Sequence, residues 1–338
     1  MLVLAAACHR ATPHEEAPPG ASAAGTAPSV APAGGAPGMS LGGAAVAPVG
    51  GAPGCALAPL PLRLPAPPRL VAIGDLHGDL AAARAALRAA GAIDDRDRWV
   101  GGALVVVQTG DVLDRGDDEH AILDLIGRLE IEARAAGGAF IELLGNHELM
   151  NAAGDLRYVT PAGLHDFDGA PAPAAAASAG APAGMRSRLA ALGAGGSYAR
   201  RLAQHAVIAI VGDTVFSHAG VLGSWVGRVD EVNRTTRCWL DGQASQPPVA
   251  LTADDGPVWT RAAGTPSVDC AAVTEALAGL GVQRMVVGHT VQGQGITSAC
   301  GEALWRIDVG LSRHYGGPIE VLELTPGAPG KVLTGARG

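Results

Sequence analysis

Lysine is almost missing from this 338-residue chain. Lys331 is its only occurrence among 24 basic residues, which face 32 acidic ones for a formal net charge of −8. Binding a nucleic-acid backbone takes a basic stripe or patch. No segment supplies one, so nucleic acid is excluded as a partner. Aromatic side chains are also scarce, at 3%. Trp225, Trp239, Trp259 and Trp305 nevertheless gather in the second half, where packing in the core is expected of them before lining a cleft. Cysteine occurs five times, at positions 8, 55, 238, 270 and 300, with none of the close pairs by which zinc ribbons hold their ion. The odd count leaves at least one thiol outside any disulfide. No run is apolar and long enough to span a membrane.

What the chain has in excess is Ala, Gly and Pro, which follow one another without periodicity before residue 66. Such a composition cannot bury enough apolar surface to offset its ordering entropy, so residues 9–66 are expected to be a disordered tether. The opening Met-Leu-Val-Leu-Ala-Ala-Ala-Cys8 ends an apolar run with small residues directly before a cysteine, which resembles the tail of a bacterial lipoprotein signal peptide. On this reading residues 1–8 are its remnant, Cys8 carries a lipid, and the protein is membrane-anchored in the periplasm or cell envelope. No basic region precedes the run, so this needs a start codon upstream; a cytoplasmic location is the alternative. About 260 residues follow Arg69, enough for one α/β domain with a substantial core. A catalytic domain is expected over 67–326, and a flexible tail over 327–338.

Within that domain one grammar recurs. The apolar run Arg69–Ile73 stops at Gly74-Asp75 and precedes a helical pattern over Asp79–Ala90. Ala103–Gln108 ends in Thr109-Gly110-Asp111, with a helical pattern over Asp117–Ala136, and Ala139–Leu144 ends at Gly145-Asn146-His147. Each strand delivers Gly and polar residues at its C-terminal end, where open α/β sheets place ligand sites. Residues 154–197 interrupt the rhythm as an insertion with a flexible tip expected around Gly169–Gly184. Beyond it, Ala206–Val211 and Thr214–Ser217 flank Gly212-Asp213, a hairpin signal. Helices are predicted over Val221–Leu240 and Asp269–Gly279, and short strands over Arg284–Val287, Ala303–Ile307 and Ile319–Leu324.

Five loops carry the chemistry: Gly74-Asp-Leu-His-Gly-Asp79, Gly110-Asp-Val-Leu-Asp-Arg-Gly116, Gly145-Asn-His-Glu148, Ser217-His-Ala-Gly220 and Gly288-His-Thr290. Carboxylate, imidazole and amide donors alternate with glycine, a set suited to zinc, iron or manganese. Two such ions roughly 3.5–4 Å apart can clamp a phosphoryl group and activate a water.

These five motifs resemble those of the calcineurin-like metallophosphoesterases, and the wording GDLHGD, GDVLDRG and GNHE resembles their serine/threonine phosphoprotein phosphatase branch. Through Gly154–Val159, Gly256–Arg261 and Val286–Thr290 the chain is most similar to the Shewanella-like phosphatases, over about residues 69–324. The resemblance implies an α/β fold, a four-layer α/β/β/α sandwich of two mixed sheets with the site in loops at strand ends. It further implies two metal ions, of identity left open between manganese, iron and zinc. Asp75, His77 and Asp111 would hold the first, Asp111 would bridge, and Asn146, His218 and His289 would hold the second. His147 would be the general acid with Asp114 as its partner, and Arg115, Arg261 and Asn146 would bind the phosphate.

A proton donor to the leaving oxygen needs a pKa near neutrality, which a carboxylate-paired imidazole provides, and planar guanidinium forks match phosphate oxygens. Glu148 and Asp79 are expected to be structural. Arg157, Tyr158, His314 and Tyr315 are candidates for flanking the site, whereas His9, His14, His120, His165 and His205 have no evident partner. The function expected is metal-dependent hydrolysis of phosphate monoesters, with a phosphorylated protein as substrate. A dinucleoside polyphosphate or other small phosphate ester is the alternative substrate, and a tethered metal-binding interaction module without turnover is the reading of another class.

Overall fold

The structure, a computed structural model, describes residues 55–61, 63–171 and 182–337. The readings of Cys8, of most of the tether and of the insertion's tip fall outside them. Strands β1 (Arg63–Leu64) and β2 (Leu70–Ile73) lead to α1 (Leu80–Ala89), β3 (Val105–Gln108), α2 (Glu119–Ala135), β4 (Ala139–Glu142) and α3 (Asn146–Ala152). The insertion carries α4 (Ala183–Leu192) and leads into α5 (Ser197–Leu202). Then come β5 (Ile208–Val211), β6 (Thr214–Ser217), α6 (Val229–Leu240), α7 (Cys270–Leu280), β7 (Arg284–Val287), β8 (Thr297–Ala299), β9 (Leu304–Arg306), β10 (Ile319–Leu324) and β11 (Lys331–Gly335).

The strands form two mixed sheets, ordered β11-β10-β2-β3-β4 and β1-β5-β6-β7-β9-β8. Alternation along each strand explains how they stack, since successive side chains point to opposite faces. Leu70 and Ala72 of β2, Val107 of β3, Phe216 of β6 and Val286 of β7 form a core between the sheets. The residues between them, Val71, Ile73, Val106, Val215, Met285 and Val287, join the core shared with the helices. On one side these are Ala82, Ala86 and Leu87 of α1 with Ile122 and Ile126 of α2; on the other, Val232 and Trp239 of α6 with Val273 and Leu277 of α7. The result is helix, sheet, sheet, helix. Helix α1 starts where the Asp79 carboxylate accepts the Ala82 N–H, and its run of good helix formers needs little else.

What positions the site is parallel pairing. Strands β2, β3 and β4 run parallel with Ile73, Gln108 and Glu142 in register. Strands β6, β7 and β9 run parallel with Ser217, Val287 and Arg306 ending together. Both triplets therefore release their loops at one end of the sandwich.

Three expectations need correction. Ordered structure begins before residue 66: β1 pairs with β5, and a Cys55–Cys238 disulfide ties the preceding segment to α6. The helix read over Val221–Leu240 is a 3-10 segment, Gly223–Arg228, followed by α6. Residues 327–338 are not simply a tail, because Lys331–Gly335 forms β11, antiparallel to β10 over five residue pairs. Its short mixed sequence, Lys-Val-Leu-Thr-Gly, hides it, since an edge strand with one solvated face needs no apolar run. Trp225, Trp239 and Trp305 are buried, whereas Trp259 is half-buried.

Deleting residues 331–338 would be silent for a tail, but here it strips β10 of its pairing on one edge, leaving only β2, and removes Gly335 from its seat against Ala85 and Ala89 of α1. The truncated protein is expected to melt at least about 3 °C lower, the shift that ~1 kcal/mol produces in a domain this size. An unchanged melting curve would reject the strand.

Candidate active site

Every strand of the two parallel triplets ends in a candidate ligand or an acid. Asp75 follows β2, Asp111 follows β3, Asn146 follows β4, His218 follows β6, His289 follows β7 and Asp308 follows β9. The turns that aim them are strained. Eight non-glycine residues among those described have positive φ, and five of them are His77, Asp111, Asp114, Arg115 and His289. Such backbone persists only where its surroundings over-determine it, and it clusters at functional sites. Two glycines allow the close approach: a methyl group at Gly145 would overlap the Asp111 carboxylate, and one at Gly288 the Asp75 carboxylate. Glu148 holds the loops together, its buried carboxylate accepting the N–H groups of Asp111, Val112, Leu113 and Gly145.

Asp111 lies at the centre. Its Oδ1 accepts the His147 N–H at 3.0 Å. Its Oδ2 faces His218 Nε2 at 3.3 Å, His147 Nε2 at 3.7 Å and His77 Nε2 at 3.9 Å. Hydrogen bonding fixes what these nitrogens offer. His218 Nδ1 lies 2.9 Å from the Thr109 carbonyl and His289 Nε2 lies 3.2 Å from that of Trp259, so each ring places its proton there. His218 Nε2 and His289 Nδ1, 3.1 Å apart, are then both lone pairs. Asn146 Oδ1 stands 2.8 Å from the same His218 Nε2. Four ligand-type atoms thus converge, and although burial works against charging His218, the Asp111 carboxylate raises its pKa, a pull toward positive charge that a cation would answer. His77 repeats the pattern: Nδ1 is held by the Leu113 carbonyl at 3.0 Å, and Nε2 faces Asp75 Oδ2 at 4.0 Å. These donors fit a pair of transition ions, with each imidazole oriented by a backbone carbonyl.

His147 differs from its neighbours. Its Nδ1 meets a carboxylate, Asp114 Oδ2, at 2.6 Å. Burial works against charging this imidazole, but Asp111 and Asp114 outweigh burial and raise its pKa to about 9, so it carries a proton at neutral pH. His77 goes the other way: burial first and then the neighbouring His147 lower it to about 3, which keeps its lone pair free. Burial pushes Asp75 well up, with Asp308 and Asp111 adding to the effect.

The remaining candidates ring this centre. The Arg115 guanidinium stacks over the Tyr158 ring at 4.1 Å, and its buried Nε has no hydrogen-bond partner. Arg261 is exposed and reaches Thr290 Oγ1 and the His289 carbonyl. Tyr158 also packs on His147, ring centroids 5.1 Å apart, and Tyr315 on His77 at 5.4 Å. Arg157 is exposed and paired with Asp155 instead. His314 touches Tyr315.

A description of calcineurin-like phosphoesterases matches residues 68–293 of this chain. The chain belongs to the calcineurin-like phosphoesterase family. It is a metal-dependent phosphatase by that membership and by its relatives. Over 311 residues it is 38% identical to Shewanella-like protein phosphatase 2 of Arabidopsis thaliana, covering 81% of this chain and 80% of that one. Shewanella-like protein phosphatase 1 of Plasmodium berghei is 28% identical over 74% of this chain and 69% of its own. Among solved structures, a cold-active protein tyrosine phosphatase superposes with a TM-score of 0.66 at 25% identity, covering 79% of this chain and 76% of that one. A cold-active protein-tyrosine phosphatase of a psychrophilic Shewanella species superposes with a TM-score of 0.67 at 24% identity, over 82% and 83%.

The phosphatase site also contains residues that the sequence did not disclose. Arg188, on α4 of the insertion, is fully buried. It donates to Asp114 Oδ1 at 3.2 Å, to Asn151 Oδ1 at 2.8 Å, to the Gly163 carbonyl at 2.8 Å and to both oxygens of Glu119. Asn151 Nδ2 in turn donates to Asp114 Oδ1 at 2.9 Å. The carboxylate behind His147 is thereby held by the insertion, which sequence alone presents only as an Ala-rich interruption. Asp308 was equally hidden, although it repeats the strand-then-acid grammar at the end of β9.

Arg188→Met would leave Glu119 buried without its cation and take one donor from Asp114, which keeps His147 and Asn151. The expected loss is about 3–5 kcal/mol of stability in urea unfolding, the usual penalty for stranding a buried charge. Adding Glu119→Gln should recover part of it. Equal stability of Arg188→Met and wild type would show that the network is not energetically coupled.

Proposed function

We propose that this phosphatase acts on phosphorylated protein side chains, with His147 as the general acid that protonates the leaving oxygen. The single observation that carries the mechanistic reading is the contrast among the imidazoles. His77, His218 and His289 each rest one nitrogen on a backbone carbonyl, whereas His147 rests its own on Asp114, so His147 is the ring that stores a proton. Asp75, His77 and Asp111 would hold one ion, Asp111 would bridge, and Asn146, His218 and His289 would hold the second. When bound, the ions supply Lewis-acid stabilisation of the phosphoryl group and a nucleophilic water at neutral pH. Manganese, iron and zinc all suit these donors, and manganese is the first ion to assay.

The chain's own groups do the rest. Arg115, propped on Tyr158, directs its guanidinium fork to the nonbridging phosphate oxygens, and Arg261 closes from the His289 side. Asn146 adds an amide to the same phosphate. His147 delivers its proton to the departing alkoxide or phenoxide while Asp114 stabilises the imidazolium and keeps the ring in place. A protein substrate is supported by the names of the relatives, which are protein phosphatases. Turnover of a phosphopeptide panel against diadenosine tetraphosphate with added manganese separates this reading from a small-ester hydrolase. No turnover of para-nitrophenyl phosphate with any metal would favour a non-catalytic binding module.

The cell envelope is the proposed location. Two disulfides, Cys55–Cys238 and Cys270–Cys300, support it, because such bonds persist in oxidising compartments. Cys8 is the cysteine left over, in line with lipidation. Membrane fractionation and lipid labelling of the natural product test this, and a soluble cytoplasmic product without lipid on Cys8 would end it.

His147→Asn is expected to keep both ions and to lose roughly a hundred- to ten-thousandfold in turnover of a phosphoserine peptide, the usual worth of positioned proton transfer. The loss on para-nitrophenyl phosphate should be far smaller, since para-nitrophenolate departs almost unaided. Equal losses on both substrates, or a lost ion, would show that His147 positions the site instead.

Arg115→Ala and Arg261→Ala should each cut turnover by roughly ten- to a hundredfold, from charge-assisted contacts of about 1.5–3 kcal/mol, with metal content unchanged by elemental analysis. A full rate in Arg261→Ala would move that residue out of the phosphate grip.

A further inference from the structure

Outside the active site, ligand-type side chains converge once more among the described residues, at Glu130, Glu142 and His205. Three separate elements bring them together. Glu130 lies on α2, Glu142 is the last residue of β4, and His205 sits in the turn between α5 and β5. His205 Nε2 is 2.9 Å from Glu130 Oε1, and His205 Nδ1 is 3.4 Å from Glu142 Oε2. One ligand atom from each residue lies within 4.8 Å of the other two. Glu142 is 2% exposed and His205 7%, while the Glu130 side chain, at 23%, opens the cluster to solvent on one side.

The protein by itself leaves this cluster unsatisfied. Glu142 Oε1 and His205 Nδ1 are buried with no hydrogen-bond partner, a state that native proteins avoid. No proton placement repairs it. A protonated imidazole can serve one oxygen of each carboxylate, and a proton on Glu142 can balance the charge, but Glu142 Oε1 is left without a partner in either case. Arg201, whose charge reaches Glu142, is already engaged by Asp124 Oδ1 at 2.8 Å and by the Leu123 carbonyl. Burial accordingly holds the Glu142 carboxyl up at about 7, against the pull of His205. A divalent cation removes the difficulty at once, taking a lone pair from each residue and balancing two carboxylates beside a neutral imidazole.

We propose that Glu130, Glu142 and His205 form a further metal site, distinct from the catalytic pair, that takes a divalent transition ion of the zinc type. One borderline nitrogen and two carboxylate oxygens suit zinc or manganese better than calcium or magnesium, which prefer all-oxygen shells. Three protein ligands leave a fourth position for water on the open Glu130 side. The site clamps the seam between the sheets. Leu143, next to Glu142, bridges Ala206, next to His205, and the Leu144 N–H donates to the Ala206 carbonyl at 2.9 Å. Asn146 of the catalytic loop begins four residues after Glu142.

The test is the number of ions per chain in the full-length protein after zinc loading and removal of loosely held metal, measured by elemental analysis. Wild type is expected to hold one ion more than Glu142→Gln or His205→Gln. Glu130→Gln, at the half-exposed position, gives the same reading if a buried variant fails to fold. The count is repeated in an Asp111→Asn background, where the catalytic pair is weakened: adding His205→Gln should again lower the count by one ion. Zinc should also raise the melting temperature of Asp111→Asn by more than that of Asp111→Asn/His205→Gln. Equal ion counts with and without these ligands, or equal zinc shifts, would overturn the site and leave the cluster as a proton-linked ion pair.

Discussion

Around Asp111, lone pairs are packed where water is excluded. One carboxylate oxygen faces three imidazole nitrogens, while the other is held by the His147 backbone. Asp75, Glu148 and Asp308 add further buried acids close by. Acceptors and like charges at this density repel one another strongly in a low dielectric. The surrounding protein holds them in place: left-handed backbone at the ligand positions, glycines where a methyl group would collide, and Glu148 tying the loops after β3 and β4. An arrangement so costly without cations is a metal site built ahead of its metals.

The proton-handling side is organised on the opposite principle. Asp114 is surrounded by donors, from His147, Asn151 and Arg188, and its charge is satisfied by the protein alone. The same few ångströms therefore contain three imidazoles whose far nitrogens rest on backbone carbonyls and one whose far nitrogen rests on a carboxylate. Opposite environments for chemically identical groups are what acid and metal chemistry in a single cleft require. The insertion secures the second environment, because Arg188 reaches Asp114 from α4. The insertion is thus tied by hydrogen bonds to the carboxylate behind His147.

Much of this was legible in the residues. Strand-then-glycine-then-acid at Gly74-Asp75, Gly110-Asp111 and Gly145-Asn146 marked the loop ends, because parallel strands buried on both faces must be apolar and must stop abruptly at a functional turn. The hairpin at Gly212-Asp213 announced itself by turn chemistry. Edge strand β11 did not, since half of its side chains face solvent. Nor did the order at Cys55 and in β1, where a disulfide and two paired residues compensate for a composition that cannot form a core.

The sequence by itself determined the chemistry available: which donors exist, that they follow strand ends, and that they match a phosphoesterase family. Those are local properties, set by residue type and spacing. Only the tertiary structure decided how the donors divide the work. Whether an imidazole binds a cation or carries a proton depends on what its far nitrogen touches, and the Leu113, Thr109 and Trp259 carbonyls and the Asp114 carboxylate arrive from other loops. The role of Arg188, 74 residues from Asp114, and the meeting of Glu130, Glu142 and His205 have the same cause. Burial and long-range juxtaposition set the charge state of a side chain, and neither is written in its neighbours along the chain.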